Sequence, residues 1–136
     1  MTKYNTNLAS EFYVLSMLHR LGADAALTLG NKKAVDIIVA NEDGTVTTID
    51  VKGLAKRQYW PAGNIRLLES TQHFYVLVCF EGKIADPRSS PSAWIIPAIE
   101  LAPFMHKYTG GRIDISRAEV EAKGQHFFHA WSLITG

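Results

Sequence analysis

The chain has 136 residues, of which 47% are hydrophobic and 20% are charged, and 14 Lys and Arg against 13 Asp and Glu give a formal net charge of +1. This length and composition exclude a disordered or fibrous chain and favour a single globular domain over residues 1–136. The near-neutral charge excludes binding of nucleic acid through overall charge, so any such contact needs a local basic patch.

The N-terminal segment has no hydrophobic stretch behind a basic start, and no window approaches the ~18 apolar residues of a membrane span. The single cysteine, Cys79, lies in the apolar run 74–80, where we expect a small buried thiol. Because an intrachain disulfide is excluded, a reducing compartment fits best. We therefore expect a soluble, cytoplasmic protein that makes no membrane contact.

The first half of the chain predicts one helix followed by strands. Four apolar residues at helical spacing predict a helix from Asn7 to Leu21, with these residues facing the core: Leu8, Phe12, Leu15 and Leu18. A short strand over 26–29 comes next. The turn sequence Asn41–Gly44 then joins two strands, 34–40 and 45–52, into a predicted hairpin.

The second half of the chain is less regular. Residues 53–71 have no clean period and predict a loop, whereas the continuous apolar run 74–80 is typical of a central strand. A last core strand over 93–96 and a short helix over 97–108, which starts with proline, follow. The capping-box spacing of Ser116 and Glu119 predicts a helix that ends at Gly124.

The register of the hairpin determines which side chains share a face. A three-residue loop, Glu42–Gly44, with Gly44 in the left-handed conformation, places Asp36 directly opposite Asp50. A two-residue loop, Asp43–Gly44, would separate the two carboxylates, because a slip of one residue reverses every side chain. The hydrophobic pattern favours the three-residue loop, which collects one apolar face: Val35, Ile37, Val39, Ile49 and Val51.

Two facing carboxylates about 5 Å apart repel each other unless a cation lies between them. Oxygen ligands of this kind suit Mg²⁺ or Mn²⁺. Lys52 lies on the same face as Asp50, about 6.6 Å along the strand. Glu11 lies on the core-facing side of the first helix, where a carboxylate is uncommon unless it is paired or bound to a metal. These residues therefore predict a metal site.

The same residues, in this order of elements, resemble the PD-(D/E)xK nuclease superfamily. The helix residue Glu11, the strand residue Asp36 and the sequence Asp50-Val51-Lys52 on the next strand carry the resemblance, which extends over residues 7–80. It is closest to small single-domain members such as Holliday-junction resolvases and restriction-endonuclease-like proteins. One departure is that a valine, not a proline, precedes Asp36. The resemblance implies an α/β fold in which helices flank a mixed sheet.

The resemblance also implies metal-dependent hydrolysis of phosphodiester bonds in DNA. Asp36 and Asp50, together with the backbone carbonyl of Val51, would hold one or two Mg²⁺ or Mn²⁺ ions that polarise the scissile phosphate. Lys52 would orient the attacking water and stabilise the charge that develops on phosphorus. Glu11 would hold a water molecule on the metal, or a second ion, from the helix.

A basic patch with interleaved aromatic residues lies in the predicted loop 53–71. Its cations join Lys52 and are Lys56, Arg57 and Arg66. Tyr59 and Trp60 lie among them, and cations beside aromatic rings suit a loop that contacts DNA. Lys32 and Lys33 would extend this patch toward Asp36. The alternative is a solvated loop in which Trp60 packs onto the domain.

Two further expectations concern function and assembly. One domain has one active site and makes one nick, so cutting two strands calls for two copies, and we expect a homodimer. The alternative to an enzyme is a non-catalytic nucleic-acid-binding or regulatory module of the same fold, such as a subunit of a defence or repair assembly. Clustered carboxylates, which repel phosphate, favour the enzyme.

Overall fold

The computed structural model describes residues 4–29, 35–65 and 70–136. It contains three helices in these ranges: α1 (Thr6–Arg20), α2 (Arg117–Lys123) and α3 (Ser132–Thr135). The strands are β1 (Asp24–Leu27), β2 (Ile37–Ala40), β3 (Val46–Leu54), β4 (Tyr59–Pro61), β5 (His73–Cys79), β6 (Ser92–Pro97), β7 (Met105–Lys107) and β8 (Ile113–Ser116). Three single 3₁₀ turns lie at Ala98–Glu100, Ala102–Phe104 and Gln125–Phe127.

The main sheet is mixed and has five strands in the order β1-β2-β3-β5-β6. Strands β3 and β5 pair in parallel, and the other neighbours in this sheet pair antiparallel. Helix α1 covers one face, where Val14 and Leu18 pack in one apolar cluster with Ile37, Ile49 and Val76. The predicted class, an α/β domain whose mixed sheet is flanked by helices, is therefore confirmed.

Strand β5 forms the centre of the fold. All seven of its residues are buried, as expected for a continuous apolar run between two neighbouring strands. The Cys79 thiol at its end is buried as predicted, and burial raises the pKa of this thiol to about 11. The thiol therefore remains protonated at neutral pH and acts as a small apolar group.

Helix α1 faces the sheet as predicted at Leu18 and, half-buried, at Leu15, but not at Leu8 and Phe12. Its buried residues are Ser10, Glu11, Val14 and Leu18, whereas Leu8 is 47% and Phe12 is 53% exposed. The reason is a close approach between the helix and β3. A Cβ atom at Gly53 would lie 2.1 Å from Ser10 Oγ, so the helix rests on the small pair Ser10 and Gly53. Periodicity alone placed the larger residues inward.

The segment 53–71, predicted as a loop, contains the end of strand β3 and the whole of strand β4. Strand β3 continues to Leu54, and β4 pairs with β8 in a second sheet of order β4-β8-β7. The predicted helix over 97–108 is also wrong. Two 3₁₀ turns and β7 occupy this region, because Pro103 lacks an amide donor and Met105–Lys107 pairs with β8.

The helix predicted from the capping box is confirmed. Strand β8 ends at Ser116, whose hydroxyl accepts a hydrogen bond from the Glu119 backbone N–H at 3.3 Å, and α2 stops before Gly124. Local side-chain chemistry therefore sets both ends of this element. No described helix has the length and apolar character needed to cross a membrane.

Candidate active site

The hairpin of β2 and β3 has the predicted three-residue register. Ile37 pairs with Ile49, and the Asn41 backbone N–H donates to the Thr45 carbonyl at 2.9 Å. Gly44 has a φ of 88°, the left-handed conformation that closes such a loop. The predicted apolar face is buried at Ile37, Val39, Ile49 and Val51, and half-buried at Val35. This pairing, continued by one step, puts residue 36 across from residue 50.

Asp36 joins the hydrogen bonding between β2 and β3 through both its backbone and its side chain. The Asp36 backbone N–H donates to the Ile49 carbonyl at 3.0 Å, and Asp36 Oδ2 accepts a hydrogen bond from the Val51 backbone N–H at 2.8 Å. A regular ladder would offer that N–H a backbone carbonyl from the opposite strand. Because Asp36 Oδ2 replaces that backbone carbonyl, the Asp36 side chain is fixed beside Val51, next to Asp50 in the sequence.

The Asp50 side chain, 19% exposed, is held from the neighbouring strand β5. Its Oδ2 lies 3.2 Å from His73 Nε2, and His73 Nδ1 lies 2.6 Å from Thr48 Oγ1. The parallel pairing of β3 with β5 sets Thr48 beside His73 and Asp50 beside Tyr75. One oxygen of Asp50 is therefore fixed by a buried imidazole.

Lys52 shares the sheet face of Asp50, as two alternate residues on one strand must. Its Nζ donates a hydrogen bond to Asn64 Oδ1 at 3.0 Å. A neutral amide therefore holds the Lys52 ammonium.

Glu11 points inward, as predicted, and is 9% exposed. It lines a cleft together with Gly53–Ala55, at the far end of β3, about 10 Å along the strand from Asp50 at 3.3 Å per residue. In the described ranges, no three His, Cys, Asp or Glu side chains form a group that could hold a metal ion. The expected convergence of Glu11, Asp36 and Asp50 around one cation is therefore not found among the described residues.

The remaining donor set still fits a hard cation. Mg²⁺ is commonly bound through one or two carboxylates and keeps several waters, so a cage of three protein side chains is not required. Asp36 and Asp50 supply two carboxylates on adjacent strands, each oriented by a hydrogen bond to one oxygen. Hydrogen bonds that orient ligands in this way are typical of metal sites.

The basic loop after Lys52 is only in part as predicted. Lys56 is exposed and Tyr59 is 54% exposed, so both side chains are open to a partner. Arg57 is engaged with two carboxylates, at 3.4 Å from Glu81 and 3.4 Å from Glu121. The predicted residues Lys32, Lys33 and Arg66 lie outside the described ranges.

Trp60 lies in the interior of the domain rather than on the surface where a DNA contact was predicted. Its side chain is fully buried, and its Nε1 donates to the Val78 carbonyl at 3.1 Å. The alternative, in which this ring packs onto the domain, is confirmed. Tyr59 and Trp60 separate in this way because successive residues of β4 point to opposite faces.

Sequence reasoning missed His73, Thr48 and Asn64 as partners of the site. Thr48 lies two residues before Asp50, so strand alternation could have placed it on the same face. His73 begins the apolar run of β5, but its contact with Asp50 depends on the parallel register of two strands that are distant in sequence. No local sequence pattern predicts the register between these two strands.

The fold is similar to that of a bacterial homing endonuclease, I-Ssp6803I, with a TM-score of 0.53. The two chains are 12% identical, and the similarity covers 95% of this chain and 89% of the other. No protein-family model and no curated protein matches the sequence. At this identity the similarity concerns the fold.

Proposed function

We propose that this protein is a metal-dependent endonuclease that hydrolyses phosphodiester bonds in DNA. The observation that supports the proposal is the hairpin register, in which residue 36 lies across from residue 50 and Lys52 follows on the strand of Asp50. The resemblance to PD-(D/E)xK nucleases rests on these residues. A fold similar to that of a homing endonuclease supports the same conclusion.

Each residue has a role in the proposed reaction. Asp36 and Asp50, with the backbone carbonyl of Val51, would hold Mg²⁺ or Mn²⁺. When bound there, the cation polarises the scissile phosphate and lowers the pKa of the attacking water. The Lys52 ammonium, held by Asn64, orients that water and stabilises charge on the phosphoryl oxygens. Glu11 orients solvent or a second ion from the α1 side.

The proposal is tested by incubating the purified protein with plasmid, single-stranded DNA, branched DNA and RNA in Mg²⁺ or Mn²⁺. We expect nicked or linear DNA with either metal and intact DNA in EDTA. Comparing the four substrates identifies the preferred nucleic acid. A protein that binds DNA but cuts none of these substrates with either metal would contradict the proposal.

A second candidate function is a non-catalytic nucleic-acid-binding or regulatory module, for example a subunit of a defence or repair assembly. The observation that favours it is that the described residues contain no group of three metal-ligating side chains. Such a module would bind DNA with the same affinity whether or not a divalent metal is present. It would also leave every substrate intact in the cleavage assay, which therefore separates the two candidates.

The exposed loop residues are proposed to contact the DNA backbone. Replacing Lys56 by alanine should reduce the slope of log K against log salt by about 0.9, the value for one phosphate contact. Replacing Arg57 should reduce it by less, because Glu81 and Glu121 already neutralise its charge. DNA affinity measured by fluorescence anisotropy at several salt concentrations gives both slopes.

Lys107, an exposed residue of β7, is the control for this measurement. Its replacement by alanine removes the same charge from the chain, but β7 is separated by β8 from β4, the strand that carries Tyr59. We expect the slope of this variant to equal that of the wild type. An unchanged slope for the Lys56 variant would place the DNA on another surface.

We also propose that the protein acts as a homodimer. One active site cuts one strand, so two copies related by a twofold axis would cut both strands of a duplex. Light scattering at the concentration of the cleavage assay should give twice the mass of the chain. A monomer at that concentration would overturn the two-site arrangement, whereas the chemistry of one site would be unaffected.

A further inference from the structure

We infer that His73 is a positioning residue that orients Asp50 for metal binding. This inference rests on the proposed function, because it concerns a proposed metal ligand. The structure supplies three observations: the burial of the imidazole, its two hydrogen-bonded neighbours, and the strand register that brings them together. Each is independent of the sequence motif that identified Asp50.

The imidazole is held in one orientation. His73 is 1% exposed, and its ring lies edge-on to the ring of Tyr75, with centroids 4.9 Å apart and planes at 82°. Thr48 and Asp50 lie on the adjacent strand at the two ring nitrogens. A ring packed in this way has little freedom to rotate, so its hydrogen-bonding directions are fixed.

The direction of the hydrogen bonds follows from the chemistry of the partners. An ionised Asp50 can only accept, so Nε2 of His73 must carry a proton and donate to Asp50 Oδ2. In the neutral ring Nδ1 then accepts, and the Thr48 hydroxyl is the group that donates to it. Thr48 therefore selects the tautomer that His73 needs in order to hold the carboxylate.

This chain of hydrogen bonds fixes one oxygen of Asp50. With Oδ2 held by His73, rotation about the Asp50 side chain is restricted, and its second oxygen, Oδ1, keeps a constant direction. Partners that orient metal ligands in this way typically contribute 10- to 100-fold in metal affinity. His73 and Thr48 would therefore act on metal binding without themselves contacting the metal or the DNA.

The experiment measures Mn²⁺ binding to the full chain without DNA, by electron paramagnetic resonance of the free ion. His73→Leu removes both hydrogen bonds and should raise the Kd for Mn²⁺ by about 10- to 100-fold. His73→Gln, which can place an amide donor near the Nε2 position, should recover most of the affinity. Thr48→Val removes only the tautomer-selecting hydroxyl and should give an intermediate Kd.

His126→Leu is the matched control, because it removes an exposed histidine from the 3₁₀ turn Gln125–Phe127, outside strands β3 and β5. Its Kd should equal that of the wild type. Circular dichroism confirms that each variant is folded, and the Gln and Val variants keep the test valid if the Leu variant unfolds. Rescue by His73→Gln is the result that a purely structural role of the ring would not give.

Two contrary outcomes have different meanings. If the wild type binds Mn²⁺ and folded His73 and Thr48 variants bind it equally well, His73 does not position Asp50 and the proposed function stands. If the wild type binds no Mn²⁺ at millimolar concentration, the metal-dependent function fails and this inference fails with it.

Discussion

Replacing Asp50 by asparagine is expected to slow DNA cleavage by about 10²- to 10³-fold, the usual effect of removing one group that stabilises the transition state. Asparagine has the same shape, and its amide oxygen can still accept from the His73 N–H, but it lacks the charge that a cation requires. DNA affinity in EDTA should be equal to that of the wild type or higher, because one repulsion with phosphate is removed. Single-turnover cleavage and anisotropy measure the two quantities separately.

Glu42→Gln is the matched control for this variant. It also removes one carboxylate from the β2–β3 hairpin, but Glu42 is exposed in the turn. We expect its cleavage rate to equal that of the wild type. Cleavage by the Asp50 variant at the rate of this control would show that Asp50 has no part in the chemical step.

Replacing Trp60 by alanine is expected to lower the free energy of unfolding by about 3–5 kcal/mol, since a fully buried indole leaves a large cavity. The ring packs edge-on to Trp94, with centroids 6.0 Å apart, and its Nε1 bonds to the Val78 carbonyl. Trp60→Phe retains an aromatic ring and should cost about 1–2 kcal/mol. Urea denaturation provides the measurement.

The adjacent residue Tyr59 is the control, because it lies on the same strand and is 54% exposed. Tyr59→Ala should change the free energy of unfolding by less than about 0.5 kcal/mol, as is usual for surface positions. If its ring stacks on a base, this variant should lose about 1–3 kcal/mol of DNA binding. Folded Trp60→Phe should keep wild-type DNA affinity, and a weaker affinity would contradict the buried placement.

These two pairs of variants separate catalysis, DNA binding and stability between residues 42 and 60. For Tyr59 and Trp60 the separation is a consequence of strand alternation. Asp50 and Lys52 share one face of β3, whereas Val51 is buried on the other. Tyr59 and Trp60 divide in the same way on β4. Because neighbouring residues point to opposite faces, a substitution at each tests a different property of the protein.

The sequence by itself determined the hairpin and its register. The turn Asn41–Gly44 and the alternation of apolar residues are local features, and a one-residue slip would have exposed an entire apolar face. The opposition of Asp36 and Asp50 followed from that register. The same holds for strand β5, whose apolar run fits only the centre of a sheet, and for α2, whose first turn is capped by Ser116.

Only the tertiary structure decided the side of α1 that faces the sheet and the partners of the two aspartates. The close contact of Ser10 with Gly53 left Leu8 and Phe12 exposed, and Glu11 lines a cleft with Gly53–Ala55 at the end of β3. The bond between His73 and Asp50 depends on the parallel register of strands separated by 18 intervening residues, 55–72. Such contacts depend on packing between distant segments, which periodicity and turn chemistry do not specify.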